Sequence, residues 1–182
     1  MSAPTTEIPG YLAGTWTIDP VHSDVTFTVR HLGVSKVRGR FSEFGGEIVT
    51  GENITGSSVT ATIQAASIDT NNADRDTHVK SGDFLDIEQF PTLTFRSTGI
   101  RTDGEDYLID GELTLHGVTK PVTLTAELGG IGDGMTEGSK VIGVSATTEF
   151  SRADFGVGAS IPTAVVSDKI KIELNIEAGL QA

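Results

Sequence analysis

Cysteine is absent from the 182 residues, so the chain has no disulfide bridge, no thiolate metal ligand and no cysteine nucleophile. Long hydrophobic runs are missing as well, and the sequence therefore predicts no transmembrane segment. The first residues lack the basic start and the apolar stretch of a signal peptide. We therefore expect a cytoplasmic location.

Basic residues are scarce. Lys and Arg number 13 against 25 Asp and Glu, which gives a net charge of −12 at pH 7. This balance argues against nucleic acid, or an anionic lipid surface, as the main partner. The densest basic spot is Arg38-Gly39-Arg40, which either meets one anionic or polar head group or balances neighbouring acids.

β-branched residues dominate what is present. The chain contains 24 Thr, 15 Val and 15 Ile, but only 13 Ala and 11 Leu. β-branched side chains suit a pleated sheet and lose rotamer freedom in a helix. The 22 glycines are typical of a chain with many tight turns. The composition predicts an all-β protein.

Short segments of alternating polar and apolar residues support this prediction. The predicted strands are 15–19, 24–32, 36–50, 57–68, 92–100, 107–116, 122–128, 140–150 and 168–177. Gly45-Gly46 predicts a bulge or a bend inside the third segment, and the glycine-rich stretch 129–134 predicts a turn. Alternation stops between residues 70 and 90, where cap-type residues precede a predicted short helix at 73–81.

An antiparallel barrel accounts for this pattern better than a sandwich. Closure into a barrel removes exposed strand edges, and the Cys…Trp…Cys pattern of antibody-like sandwiches is missing. We predict one domain over residues 14–178, preceded by a flexible tail at 1–13. The segment 72–90 is predicted to act as a lid at one end of the barrel.

Catalytic and metal sites find little support in the sequence. His22-Ser23-Asp24 contains the residue types of a nucleophilic triad, but adjacent residues on an extended chain point to opposite faces. A hydrogen-bonded turn built by Asp19, His22 and Ser23 is the preferred interpretation. The four histidines show no helical i, i+4 pair and no His-x-His pair, so no metal site and no cofactor is predicted.

Several ordered motifs together resemble the YceI-like family. They are IDPVHSDVTFTVRHLG at 18–33, VRGRF at 37–41, SIDT at 67–70, RDTH at 75–78, DF at 83–84, FP at 90–91 with Phe95, GELTLHGVTKPV at 111–122 and RADFG at 152–156. The resemblance implies a lipocalin-like antiparallel β-barrel of about eight strands with a helix near one end. It also implies that a polyisoprenoid or similar long apolar molecule binds inside.

Alternation then selects the residues that should face such a ligand. The predicted apolar cavity residues are Val25, Phe27, Val29, Phe41, Val59, Ile63, Phe84, Phe90, Phe95, Leu113, Leu115 and Leu124. For the polar head group we predict contacts at the barrel mouth from His31, Arg38 and Arg40.

Three functions remain open at this point. The leading one is non-catalytic binding, sequestration or transport of a polyisoprenoid or an isoprenoid-quinone-like lipid. The second is an enzyme acting on such a ligand, with the histidines and Asp19 as acid–base groups. The third is a structural β-domain with a filled core and a protein partner. A homodimer is a reasonable expectation under the resemblance.

Overall fold

Alternating β-branched segments build eleven strands in the computed structural model, which describes residues 8–181. The strands are β1 (Gly14–Ile18), β2 (Asp24–His31), β3 (Ser35–Phe41), β4 (Phe44–Thr50), β5 (Ser58–Gln64), β6 (Ile68–Asp69), β7 (Thr92–Asp103), β8 (Asp106–Leu115), β9 (Val118–Asp133), β10 (Lys140–Ser151) and β11 (Lys169–Leu180). All of the strand pairings are antiparallel.

Eight of these strands close into a ring. The order is β1, β4, β5, β7, β8, β9, β10 and β11, and β11 then pairs back onto β1. The long strand β11 has two partners on the same side, because Ala178 pairs with Ile18 of β1 while Lys171 pairs with Thr28 of β2. Strands β2, β3 and β6 therefore continue the sheet at the other end of the barrel. The predicted all-β antiparallel barrel is confirmed.

The only α-helix among the described residues, α1 (Ala73–Lys80), follows β6. The Asn72 side chain accepts a hydrogen bond from the Arg75 backbone N–H (2.9 Å) and so caps the helix. Asp74 and Asp76 lie in its first turn, where negative charge is favourable. The predicted helix at 73–81 is thus confirmed. No helix of the described part combines the length and the apolar character needed to cross a membrane.

Two local predictions were wrong. Residues 36–50 form two strands that break at Ser42 and Glu43, whereas Gly45 and Gly46 lie within β4. The pairing of β4 with β5 is regular through both residues, and a Cβ at Gly46 would lie 2.1 Å from the Thr60 carbonyl oxygen. This glycine therefore permits close strand approach rather than a bulge or a bend.

The stretch 129–134 is likewise no turn. Strand β9 continues to Asp133, and Gly130 and Gly132 pair with Gly143 and Val141 of β10. A β-bulge between Gly143 and Val144 absorbs the irregularity.

The domain boundaries of the sequence prediction stay a prediction, since part of the predicted tail, residues 1–7, lies outside the described residues. Within 8–13, the Tyr11 hydroxyl donates to the Gly51 carbonyl oxygen (2.8 Å). Trp16 of β1 is fully buried in a cluster with Ile142 and Ala178, which fills the end of the barrel that β1 closes.

Candidate ligand cavity

A cavity of about 350 Å³ occupies the end of the barrel that carries β2, β3 and α1. Its walls come from the inner faces of β2, β3 and β11, from α1 with the loop that follows it, and from the segment 157–166. Most of the lining is aliphatic or aromatic. Polar groups are confined to Thr70, Arg75, His78, Arg152 and His31. The arrangement suits a ligand that is mainly apolar and carries one polar end.

Six of the residues predicted for the site line this cavity together: Phe27, Val29, His31, Phe41, Phe84 and Leu115. The Phe27 and Phe41 rings lie 5.8 Å apart between centroids, and the Phe84 ring meets the His78 ring edge-on at 5.1 Å. Phe84 belongs to the segment that follows α1, so the predicted lid segment contributes a wall of the cavity.

Two further predicted residues, Val59 and Leu124, line a second and smaller chamber of about 90 Å³. This chamber lies at the end of the barrel that β1 closes, and its neighbours include Ile18, Ile109 and Ile142. Only Thr50, Ser57 and Tyr107 add polar atoms to the lining residues. The barrel interior is therefore apolar along its length but divided.

Four predicted residues form the layer between the two chambers: Val25, Ile63, Phe95 and Leu113. Leu113 illustrates the position, because on β8 it stands between Leu115 of the large cavity and Ile109 of the small chamber. Phe90 lies elsewhere. Its ring packs on His116 with 4.7 Å between centroids and touches neither chamber.

Arg38 and Arg40 point away from the cavity. Val37 and Phe41 of β3 line it, so the residues between them at the alternate positions face outward. Both arginines line a separate outer groove with Asp69 and Glu173, and the Arg40 guanidinium lies 3.7 Å from the Asp69 carboxylate. The sequence period already implied this orientation.

Arg75 was not predicted as a site residue, yet it lines the cavity. Its guanidinium donates to the Thr70 hydroxyl (2.9 Å) and to the Thr70 carbonyl (2.6 Å). The Asp76 carboxylate accepts from the Thr70 hydroxyl and backbone N–H, and the hydroxyl hydrogen bond chiefly holds the pKa of Asp76 below its usual value. Thr70 thus fixes α1, and with it Arg75, against the mouth.

A buried cation, Arg152, holds the segment 157–166 in place. It is only 3% exposed, and no acidic side chain is within ion-pair distance among the described residues. Its guanidinium instead donates five hydrogen bonds of 2.6–3.1 Å to the carbonyl oxygens of Val157, Gly158, Ile161, Val166 and Ser167. The sequence signal was the motif at 152–156, and the partner carbonyls lie in the segment that follows it.

Asp19 and His22 form a hydrogen-bonded turn on the outer surface, as predicted. Ser23, the third predicted member, is buried and exchanges hydrogen bonds with the Glu177 backbone instead. The Asp19 carboxylate accepts from the Val21 N–H (2.9 Å) and contacts His22 Nδ1 (2.7 Å). Glu177 lies 3.8 Å from the same ring nitrogen, so the three side chains could in geometry share a metal ion. All three are at least part-exposed, and the hydrogen bonds of the turn account for the cluster.

Sequence comparison places the chain in a family. The model described as the YceI-like domain matches residues 16–178. The chain belongs to the YceI-like family. The UPF0312 protein VVA0736 of Vibrio vulnificus strain YJ016 is 40% identical over 158 residues, which cover 86% of this chain and 81% of that protein.

Solved structures agree with this family assignment. The crystal structure of the Campylobacter jejuni YceI protein superposes with a TM-score of 0.75 at 27% identity, covering 100% of this chain and 98% of that one. A polyisoprenoid binding domain from Saccharophagus degradans gives a TM-score of 0.67 at 17% identity, covering 94% and 100%. At this identity the second comparison shows a shared fold.

Proposed function

We propose that this YceI-like protein binds a polyisoprenoid or an isoprenoid-quinone-like lipid in its barrel and sequesters or transports it. The observation that carries the proposal is the cavity of about 350 Å³, apolar along its walls and polar only around Thr70, Arg75, His78, Arg152 and His31. The polyisoprenoid binding domain from Saccharophagus degradans, which shares this fold, supports the same ligand class.

Apolar transfer supplies the binding free energy in this proposal. Each methylene group moved from water into such a cavity gains ~0.8 kcal/mol, less the cost of ordering the chain. Phe27, Val29 and Phe41 offer the chain only hydrocarbon contacts, so any unbranched or prenyl chain of suitable width gains from entry. Selectivity then depends on the polar end and on the length of the chamber.

For the polar end we propose His31 as the contacting residue, with Arg75 beside it. His31 is exposed at the end of β2 and lines the cavity, and Arg75 provides a cation on α1. His31→Ala should weaken binding of geranylgeraniol and leave binding of squalene, which has no head group, unchanged. Equal weakening of both ligands would contradict the assignment. Arg38 and Arg40, predicted as further contacts, lie outside this cavity.

We propose a carrier rather than an enzyme. Catalysis needs a base or nucleophile held within hydrogen-bond reach of a reacting atom by a third group. The His78–Asp83 pair (2.9 Å) is the one such dyad near the mouth within the described part of the chain, and both side chains are exposed. Turnover of a bound isoprenoid that is lost in His78→Ala would support the enzyme instead.

The test is native mass spectrometry of unheated protein, followed by solvent extraction. We expect a co-purifying long apolar molecule that solanesol replaces when added. Val29→Phe fills part of the cavity and should lower solanesol binding, while Val49→Phe, at a half-exposed site outside it, should not. Protein that carries no lipid and binds no solanesol would overturn the proposal. The cytoplasmic location stays a prediction, to be checked by cell fractionation.

A further inference from the structure

Basic side chains gather on one face of this acidic protein. The outward positions of β2, β3 and the start of β11 carry six of its 13 Lys and Arg residues, all of them exposed. We call this the basic face; its members are Arg30, Lys36, Arg38, Arg40, Lys169 and Lys171. Among them only Arg40 forms an ion pair within the described residues. The basic residues are therefore distributed very unevenly over the surface, although the net charge of the protein is −12.

The charge of this face changes sign along the barrel. Arg30 lies opposite Lys36 in the row nearest the β2–β3 turn, and no carboxylate stands in that pair. In the next row Lys171 and Arg38 flank Thr28. On the other side of Lys171 stands Glu149 of β10, and further along Glu173 and Asp69 flank the row of Arg40. Positive charge is thus concentrated beside the turn.

The turn itself is apolar and exposed. Leu32 is 58% exposed and Val34 is 83% exposed, and Val165 of the neighbouring loop is 37% exposed. The Leu32 N–H donates to the Val165 carbonyl (2.9 Å), which joins the two loops into one surface. These three residues are called the apolar tip. Val165 and His31 also line the cavity, so the tip borders its mouth.

We propose that the apolar tip and the basic face dock the protein on a membrane surface that contains anionic lipids, with the cavity mouth toward the bilayer. Interfacial proteins bury apolar side chains ~5–10 Å deep while cations meet the lipid phosphates. Rows of a strand are ~7 Å apart, so Arg30 and Lys36 reach the phosphate layer when Leu32 and Val34 enter the head-group region. Burial of the apolar tip and attraction between the basic face and the lipid phosphates therefore act together.

A membrane fits this surface better than other partners. Single-stranded nucleic acid is held by aromatic side chains interleaved with cations, and the outward positions of β2, β3 and β11 carry no aromatic residue. A second copy of this chain would bring an identical positive face, and like charges would meet across a two-fold interface. Anionic lipid supplies both the complementary charge and an apolar layer.

This inference goes beyond the proposed function, because it concerns the outer surface and holds whether or not a lipid occupies the barrel. Flotation of the full chain with vesicles tests it directly. We expect binding to vesicles of equal parts phosphatidylcholine and phosphatidylglycerol, none to phosphatidylcholine alone, and release by high salt. Lys36→Glu with Lys171→Glu should weaken anionic binding by about tenfold or more, and so should Leu32→Asn with Val34→Ser.

Matched controls separate docking from general effects. Lys120→Glu with Lys140→Glu makes the same change in net charge at other sites, and Met135→Ser removes an apolar side chain that is 99% exposed in another turn. Both should float as the unchanged protein does. The proposal is overturned if the protein ignores anionic vesicles, or if the controls lose as much binding as the test variants. It is also overturned if light scattering shows a dimer that Leu32→Asn with Val34→Ser dissociates without any vesicle binding.

Discussion

The ring of Phe27 lies over Gly39, its direct partner on the neighbouring strand. A Cβ placed on Gly39 would stand 2.3 Å from Phe27 Cζ and 2.5 Å from Cε2, so the ring occupies the space that a side chain at position 39 would need. This glycine therefore shapes the cavity through its partner, because it leaves the space in which the Phe27 ring lies against the sheet. Its backbone conformation does not call for glycine.

Gly39→Ala should reduce the capacity of the cavity. The added methyl group turns the Phe27 ring into the chamber, and a ring that projects there displaces ligand. We expect weaker solanesol binding in the mass-spectrometric titration with a smaller change in thermal midpoint. Gly99→Ala, where a Cβ meets no atom within 4 Å, is the control. Unchanged binding in Gly39→Ala would contradict this role.

Alanine substitutions of Phe84 and Phe90 should affect ligand retention and stability to different degrees. Phe84 lines the cavity, whereas Phe90 packs on His116 and against Gly117 outside it. Phe84→Ala should therefore speed the release of bound solanesol more than it lowers the thermal midpoint. Phe90→Ala should do the reverse, since it removes packing alone. Equal effects of the two variants on release, measured by transfer to empty vesicles, would argue against a lid that begins at Phe84.

The turn of Asp19 and His22 makes a pH-dependent contribution. The hydrogen bond to Asp19 raises the pKa of His22 above its ordinary 6.5, and the bond from His22 lowers the pKa of Asp19 below 3.8. Because the His22 pKa is raised, the pair stabilises the fold fully below pH 6.5, and this stabilisation is lost as pH rises through the raised pKa. Because the Asp19 pKa is lowered, the pair stabilises the fold fully above pH 3.8, and this stabilisation is lost as pH falls through the lowered pKa.

The hydrogen-bonded pair of Asp19 and His22 therefore stabilises the fold most between pH 3.8 and pH 6.5. Asp19→Asn should return the His22 pKa toward 6.5 in an NMR titration of the ring protons. Asp24→Asn removes a nearby exposed carboxylate that makes no contact with the ring and should leave the titration unchanged. A shift of equal size in both variants would assign the effect to general charge instead.

Arg152 should matter for stability far more than an exposed arginine. Arg152→Met leaves five buried or part-buried carbonyl oxygens without their donor, and we expect a loss of about 3 kcal/mol in urea unfolding. Arg152→Lys keeps the charge but has only three donors, so it should recover part of this loss. Arg101→Met, which breaks an exposed pair with Asp110, serves as the control and should change the midpoint little.

The sequence predicted well what depends on local alternation. Phe27, Val29 and Phe41 line one cavity because a period of two places them on one face of neighbouring strands. It could not assign Val59 and Leu124 to the other chamber, because height along a barrel is set by the stagger between strands, which no single strand encodes. The sequence also did not predict that β9 and β10 stay paired through most of 129–134. Gly130 pairs with Gly143 of β10, and the turn propensity of glycine gives no indication of such a partner.

Hydrogen bonds from arginine side chains to irregular backbone were the other limit. Arg75 binds Thr70, five residues before it, and Arg152 binds the loop before β11, and hydrophobic periodicity predicts neither set of partners. Net charge failed in a different way, since an average of −12 says nothing about which strands lie side by side. The β2–β3 pair carries four members of the basic face, and the other two join it only when β11, far along the chain, pairs with β2.

Leu113 should limit the length of chain that the barrel accepts. It stands in the layer between the two chambers, so Leu113→Ala opens space from the large cavity toward the small one. We expect solanesol to gain affinity relative to farnesol, with a stability cost of about 3 kcal/mol. Ile109→Ala enlarges only the small chamber at a comparable cost and should leave the ratio of the two affinities unchanged. A ratio that stays constant in both variants would mean that the ligand already passes this layer.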